Sequence, residues 1–255
     1  MNFANRMRSA GTAAGIHFVS SCLLAVLASA LVFLVWYPYP YRDLSGGKEL
    51  FLLIISVDIV CGPLLTLVLF NPKKPRAELW RDMTLVVTIQ LAALGYGLNT
   101  VWQARPLYLV LEIDRFKVVT RPVVDELALS QLPSLLKTPW WSGPLLVGIR
   151  APKNDQEREK VMFDAVQGGR DYAERPEFYI PYSGAAAQKS LLKAKPLPVF
   201  LLKQPSQQQA AQQLALDKRA DIAQWLYLPV VARQDWVAIL DKQGQIQGFL
   251  KGDGF

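Results

Sequence analysis

Few residues of this 255-residue chain have side chains suited to chemistry, and their positions already exclude most reactions. His17 is the sole histidine and opens the first long apolar stretch, so neither a Ser/His/Asp triad nor a histidine metal site is expected in the C-terminal part. Cys22 and Cys61 are the only cysteines, and both lie inside apolar stretches. That rules out a thiol nucleophile, a thiolate metal site or disulfide exchange beyond residue 104, and reads both cysteines as small apolar side chains. Glu112 and Asp114 share one face of a strand, but two acids at this spacing most simply face water. Gly46-Gly47 and Gly168-Gly169 belong to no phosphate-binding pattern. The chain is therefore read as a non-enzyme, with no catalytic residue, metal or cofactor expected.

One residue demands an explanation. Asp58 lies in the middle of Leu50 to Phe70, a run otherwise free of charge. An ionised carboxylate in hydrocarbon costs about 2.5 to 3.5 kcal/mol on insertion scales, so such residues face a bundle interior or a water-filled cavity. Gly62 and Pro63 follow, and proline removes a helix donor and can kink the segment. At about 1.5 Å per residue, Asp58 lies roughly 12 Å below the outer edge, and Gln90 on the third run about 10 Å above the inner edge. They are expected one or two turns apart in depth. Three readings follow: Asp58 bonds internally to Gln90, Ser20 or Thr88; Asp58, Gly62, Pro63 and Gln90 mark a groove for a partner's transmembrane helix; or Asp58 carries protons in a transporter subunit, which with three helices would act as a homo-oligomer.

The elements that would position these residues can be read from hydropathy. Half the chain is hydrophobic (51%) and only 19% is charged, yet residues 1–104 contain just eight Lys or Arg and five Asp or Glu. Ile16 to Trp36, Leu50 to Phe70 and Met83 to Gln103 each have the roughly 20 apolar residues that cross about 30 Å of hydrocarbon. Arg6, Arg8 and Ala28-Ser29-Ala30 resemble a cleavable signal, but Leu31 to Val35 carries the apolar run past that site, so the first helix is expected to be retained. Basic residues favour the cytoplasmic side. Arg6 and Arg8 in the tail, with Lys73, Lys74, Arg76 and Arg81 in the second loop, outnumber Arg42 and Lys48 in the first. This places the N-terminus in the cytoplasm and the C-terminal domain outside. The cytoplasmic tail and loop are too short to form an output domain. Trp36, Tyr37, Tyr39, Tyr41 and Trp102 are expected to collar the outer helix ends and Trp80 an inner one.

Residues 105–255 read as one α+β extracytoplasmic domain after a membrane domain over 1–104. Pro106 and the alternation Leu107, Leu109, Leu111, Ile113 start a strand almost where the third span ends, leaving no flexible linker, so the domain is expected directly on the outer surface. Strands are expected at Leu107 to Glu112, Phe116 to Thr120 and Leu145 to Ile149. Helices are expected after an Asn154 or Asp155 cap, ending at Gly168-Gly169, and from about Ser206 to Leu216. Trp236 to Leu240, the turn Asp241-Lys242-Gln243-Gly244 and Ile246 to Leu250 read as a hairpin. The net charge of +7 comes without a Lys/Arg stripe interleaved with aromatics, so no nucleic-acid partner is expected.

Several short runs together carry a resemblance. Trp36-Tyr37-Pro38-Tyr39-Pro40-Tyr41, Ser45-Gly46-Gly47, Val57-Asp58, Gly62-Pro63-Leu64-Leu65-Thr66 and Phe70-Asn71-Pro72-Lys73 resemble the TfpX/TfpZ family of type IV pilin accessory proteins. So do Arg81-Asp82, Gln90 to Leu94, Tyr96-Gly97 and Ala104-Arg105-Pro106 leading to Asp114-Arg115-Phe116. The match covers residues 6 to about 120. It implies a multi-pass protein of the bacterial inner membrane, partnered by lipid bilayer and by its cognate type IV major pilin. Its implied role is that of a chaperone-like assistant in pilin stability or pilus assembly.

Overall fold

A computed structural model of the protein describes residues 3–255, with side chains at 5–49 and 51–255. The described residues form two units. One runs to Pro38 and resumes from Gly46 to Ala104; the other combines Tyr39–Ser45 with Arg105–Phe255.

In the first unit, α1 (Phe3–Ala30) continues as a π-helical stretch, Leu31–Trp36. After the single turn α2 (Tyr41–Leu44), which belongs to the second unit, come α3 (Gly47–Leu69) and α4 (Arg76–Gln103). Among the described residues, three helices are long and apolar enough to cross a membrane: α1 with its π extension, α3 and α4. Helices α1 and α4 start well before their apolar runs, because polar and charged residues continue a helix where water can solvate them. α3 packs against both α1 and α4.

The π turn widens the end of the first helix, with the Tyr37 amide donating to Val32 O at 2.7 Å. Val32, Trp36 and Tyr37 are all buried as a result. The Tyr37 hydroxyl donates to Val101 O in the last turn of α4, at 2.9 Å. Gly47 makes room for that ring, since a Cβ there would lie 2.3 Å from a Tyr37 ring carbon. The expected aromatic collar needs a correction at two residues: Trp36 and Tyr37 pack inside the helix cluster, whereas Trp80 and Tyr39 are exposed.

The second unit is a mixed α/β domain. In chain order it contains β1 (Pro106–Leu111), β2 (Phe116–Thr120), α5 (Glu126–Ser130), β3 (Leu145–Ile149), α6 (Asp155–Val166), β4 (Tyr179–Pro181) and α7 (Ala185–Leu191). β5 (Lys195–Pro196), α8 (Leu197–Lys203), α9 (Gln208–Lys218), β6 (Leu226–Val231), β7 (Trp236–Leu240) and β8 (Ile246–Lys251) follow. Among the described residues, the strands make one eight-stranded sheet of order β4-β3-β1-β2-β6-β7-β8, with β5 paired to β6. The β1–β3 and β2–β6 pairs are parallel and the others antiparallel. β1 is buried along its whole length, with Tyr108 and Val110 in one core cluster and Leu109 and Leu111 in another. The alternation read from the sequence therefore has both faces covered, as suits a strand with neighbours on both edges.

The boundary expected at residue 104 needs one correction. Residues 39–45, read as an outer loop between two helices, group with the second unit. Leu44 is fully buried among Leu109, Phe116, Leu228 and Trp236, and its carbonyl accepts the Arg233 amide at 3.0 Å. An apolar side chain beside a chain of turn-forming prolines gains more by filling that core than by facing water.

Asn154 caps α6, its Oδ1 accepting the Glu157 amide at 2.8 Å. The Glu157 carboxylate takes both guanidinium branches of Arg150 at 2.9 Å, and Arg150 stacks over Phe178 at 4.3 Å. This pairing, helped by the Lys153 amide, holds the Glu157 carboxyl down at about 2. A carboxyl depressed in the fold stabilises it above the ordinary value of 4.5, and that contribution is lost as pH falls toward 2. Glu157→Gln should therefore lower the thermal midpoint at pH 6, and the gap to the parent should close on titration toward pH 2. Leu44→Ala should destabilise the second unit by about 2–5 kcal/mol, read as a lower urea concentration for proteolysis of that unit.

Candidate functional site

In the first unit, a groove of about 530 Å³ is lined by α1, α3 and α4. Helical spacing builds it. His17, Ser21 and Leu24 stand at i, i+4 and i+7 on α1, Asp58 and Thr66 two turns apart on α3, and Val87, Gln90 and Leu91 on one face of α4. Most of the lining is apolar, and the polar groups sit where the three helices meet.

Gln90 makes that junction. Its Nε2 donates to Ser21 Oγ on α1 and to the Asp58 carbonyl on α3, each at 2.9 Å. Its buried Oε1 has no hydrogen-bond partner among the described residues and faces Gly62, where a Cβ would lie 2.0 Å from it. Only glycine lets the carboxamide lie flat against α3 at this point. Lower in the groove, His17 Nδ1 lies 2.6 Å from Oγ1 of the buried Thr66, a second polar bond between α1 and α3. α3 runs on through Pro63 to Leu69, although the proline nitrogen offers nothing to the Ile59 carbonyl.

Of the four residues singled out from sequence, Asp58 and Gln90 line the groove, Gly62 lies against the Gln90 carboxamide, and Pro63 follows one residue beyond. Two expectations are corrected. Gln90 is level with Asp58, not a turn or two away, and bonds both its carbonyl and its side chain, so the internal Asp58–Gln90 contact expected from the sequence is present. Of the hydroxyls expected on Asp58, Ser20 bonds its own helix at Ile16 O and Thr88 is exposed, while the hydroxyl at this junction is Ser21, bonded to Gln90. Sequence reading missed His17, Ser21 and Thr66 as lining residues. The signal was present as polar residues at i, i+4 on α1 and two turns apart on α3.

A second, charged cleft of about 760 Å³ lies in the second unit and includes Glu112, Asp114, Arg150, Tyr172 and Lys193. The acid pair noted in the sequence is split by environment. Burial pushes the Glu112 carboxyl up, whereas Arg115, bonded at 2.7 Å, holds Asp114 down. Among the described residues, no group of three His, Cys, Asp or Glu side chains could hold a metal ion.

The close approach at Gln90 makes a double-substitution test. Gly62→Ala should destabilise the helix cluster by about 1–3 kcal/mol, the usual cost of overpacking, and lower the thermal midpoint in detergent. Adding Gln90→Ala should recover part of that loss, because the three atoms nearest the added Cβ all belong to the carboxamide.

The chain matches the family described as fimbrial assembly protein FimB over residues 5–46, which spans α1, the π turn and α2. It is 37% identical over 255 residues to the fimbrial assembly protein of serogroup I from Dichelobacter nodosus, covering 98% of each chain. The serogroup E1 protein of that organism is 36% identical with the same coverage. The protein of serogroups C1 and C2 is 40% identical over 128 residues, half of this chain and 95% of that one. No solved structure matches. Full-length similarity at this level, running through both units, makes the chain a member of the fimbrial assembly protein family.

Proposed function

We propose that this protein acts in pilus assembly as a non-enzymatic, chaperone-like accessory of a type IV major pilin, of the TfpX/TfpZ kind. In this reading α1, α3 and α4 span the bacterial inner membrane, the N-terminus is cytoplasmic and the second unit is periplasmic. The observation that carries the proposal is the full-length similarity to fimbrial assembly proteins. The groove supports it physically. An apolar trough with a half-buried carboxylate, an imidazole and hydroxyls along its floor suits an apolar helix that carries an occasional polar group. A membrane-held pilin presents such a helix with a globular head outside, which the second unit would engage.

The proton-carrier reading keeps one observation in its favour, that His17 and Asp58 line the same groove. In-cell photocrosslinking separates the two. A probe at Val87 in the groove and another in the second unit should both capture the pilin. Capture of this chain alone would instead point to a homo-oligomer and to the proton-carrier reading. Asp58→Leu should weaken pilin co-purification about tenfold, equivalent to about 1.4 kcal/mol of contact energy, with the variant still at parental level in the membrane. Unchanged pilin binding and surface piliation would sink the groove part of the proposal.

A further inference from the structure

Arg105 is 2% exposed, although it carries a charge and directly follows Ala104, the C-cap of α4. Its guanidinium is spent on a loop more than thirty residues away in sequence. Nη1 donates to Trp140 O at 3.1 Å, and Nη2 donates to Thr138 O at 3.0 Å and to Pro139 O at 3.2 Å. Three successive carbonyls held by one planar fork fix the path of the loop. The Tyr108 hydroxyl fixes its approach, donating to Leu136 O at 2.8 Å.

What this clamped loop presents is unusual for the surface of a water-soluble domain. Trp140 is 57% and Trp141 64% exposed, and their rings meet edge to face at 5.7 Å. Two adjacent exposed indoles leave a large apolar area in water. From Ser134 to Pro144 the only charged residue is Lys137, which is exposed, and there is no acid.

We infer that the Trp140–Trp141 loop is a membrane-surface anchor, with its indoles in the headgroup layer of the bilayer that α4 enters. This rests on reading α4 as a membrane span. Chain continuity carries the argument. Consecutive Cα atoms are about 3.8 Å apart, so one peptide step, one arginine side chain and one hydrogen bond keep the loop carbonyls within about 15 Å of the end of α4, whatever the orientation of the second unit. The headgroup layer begins at that helix end, and indoles favour it because the ring takes the apolar side and the N–H the wet side. Lys137, the one charged residue between Ser134 and Pro144, complements anionic lipid.

The test uses the full chain in lipid nanodiscs with fluorotryptophan, each resonance assigned by single Trp→Phe variants. Headgroup-labelled nitroxide lipid and a water-soluble gadolinium chelate are the two probes. Trp140 and Trp141 should broaden with the nitroxide lipid to the extent that Trp102 of α4 does, while buried Trp225 and Trp236 stay sharp. Broadening of Trp102 by the lipid while Trp140 and Trp141 respond only to the aqueous chelate would overturn the anchor and leave the span intact. If Trp102 also fails to respond, the span reading falls and the anchor with it.

Discussion

A half-buried carboxamide that bonds two other helices at once is the constraint on which the helical unit depends. Gln90 satisfies its two donors on two different helices, and these bonds tie α4 to α1 and α3 at one level. Because a polar group left unpaired in an apolar setting costs more than the bond it would make, any sliding of α4 along α3 is opposed by both lost bonds at once. Glycine at 62 is what lets the amide come so close. The groove with Asp58 is the space left beside this junction.

Much of this molecule could be read in its sequence where the signal was local. The long apolar helices, the strand starting at Pro106, the Asn154 cap and the closing hairpin all depend on neighbours a few residues away, and the structure has each of them. β6 escaped because Pro229 interrupts its run, as proline ordinarily does in a central strand. It is accommodated here opposite Val237. α7 and α8 are single short helices of seven residues each, too brief for a periodic signal. The parallel pairings of β1 with β3 and β2 with β6 join segments far apart in sequence, and no local pattern encodes such a partner.

The site was legible to a similar degree. A carboxylate in an apolar run announces itself by cost alone, so Asp58 and its polar counterpart Gln90 were found. Their register was not, because rise per residue gives depth only when the true helix ends are known. α3 starting at Gly47 and α4 at Arg76, both before the apolar runs, shift the count. His17 was read as a helix-start residue, while its bond to Thr66 depends on how α1 and α3 face one another.

Leu44 adds a temporal dimension to the architecture. The side chain that fills the centre of the second unit is synthesised before α3 and α4, while strands β6 and β7 that close over it are made nearly two hundred residues later. A fragment starting at Arg105 would fold around a missing core residue, and a full chain cannot seal that core until its last hairpin has emerged. Maturation of the β-sheet is thus linked to completion of the whole polypeptide, with residues 39–45 waiting as an unfilled plug in the meantime.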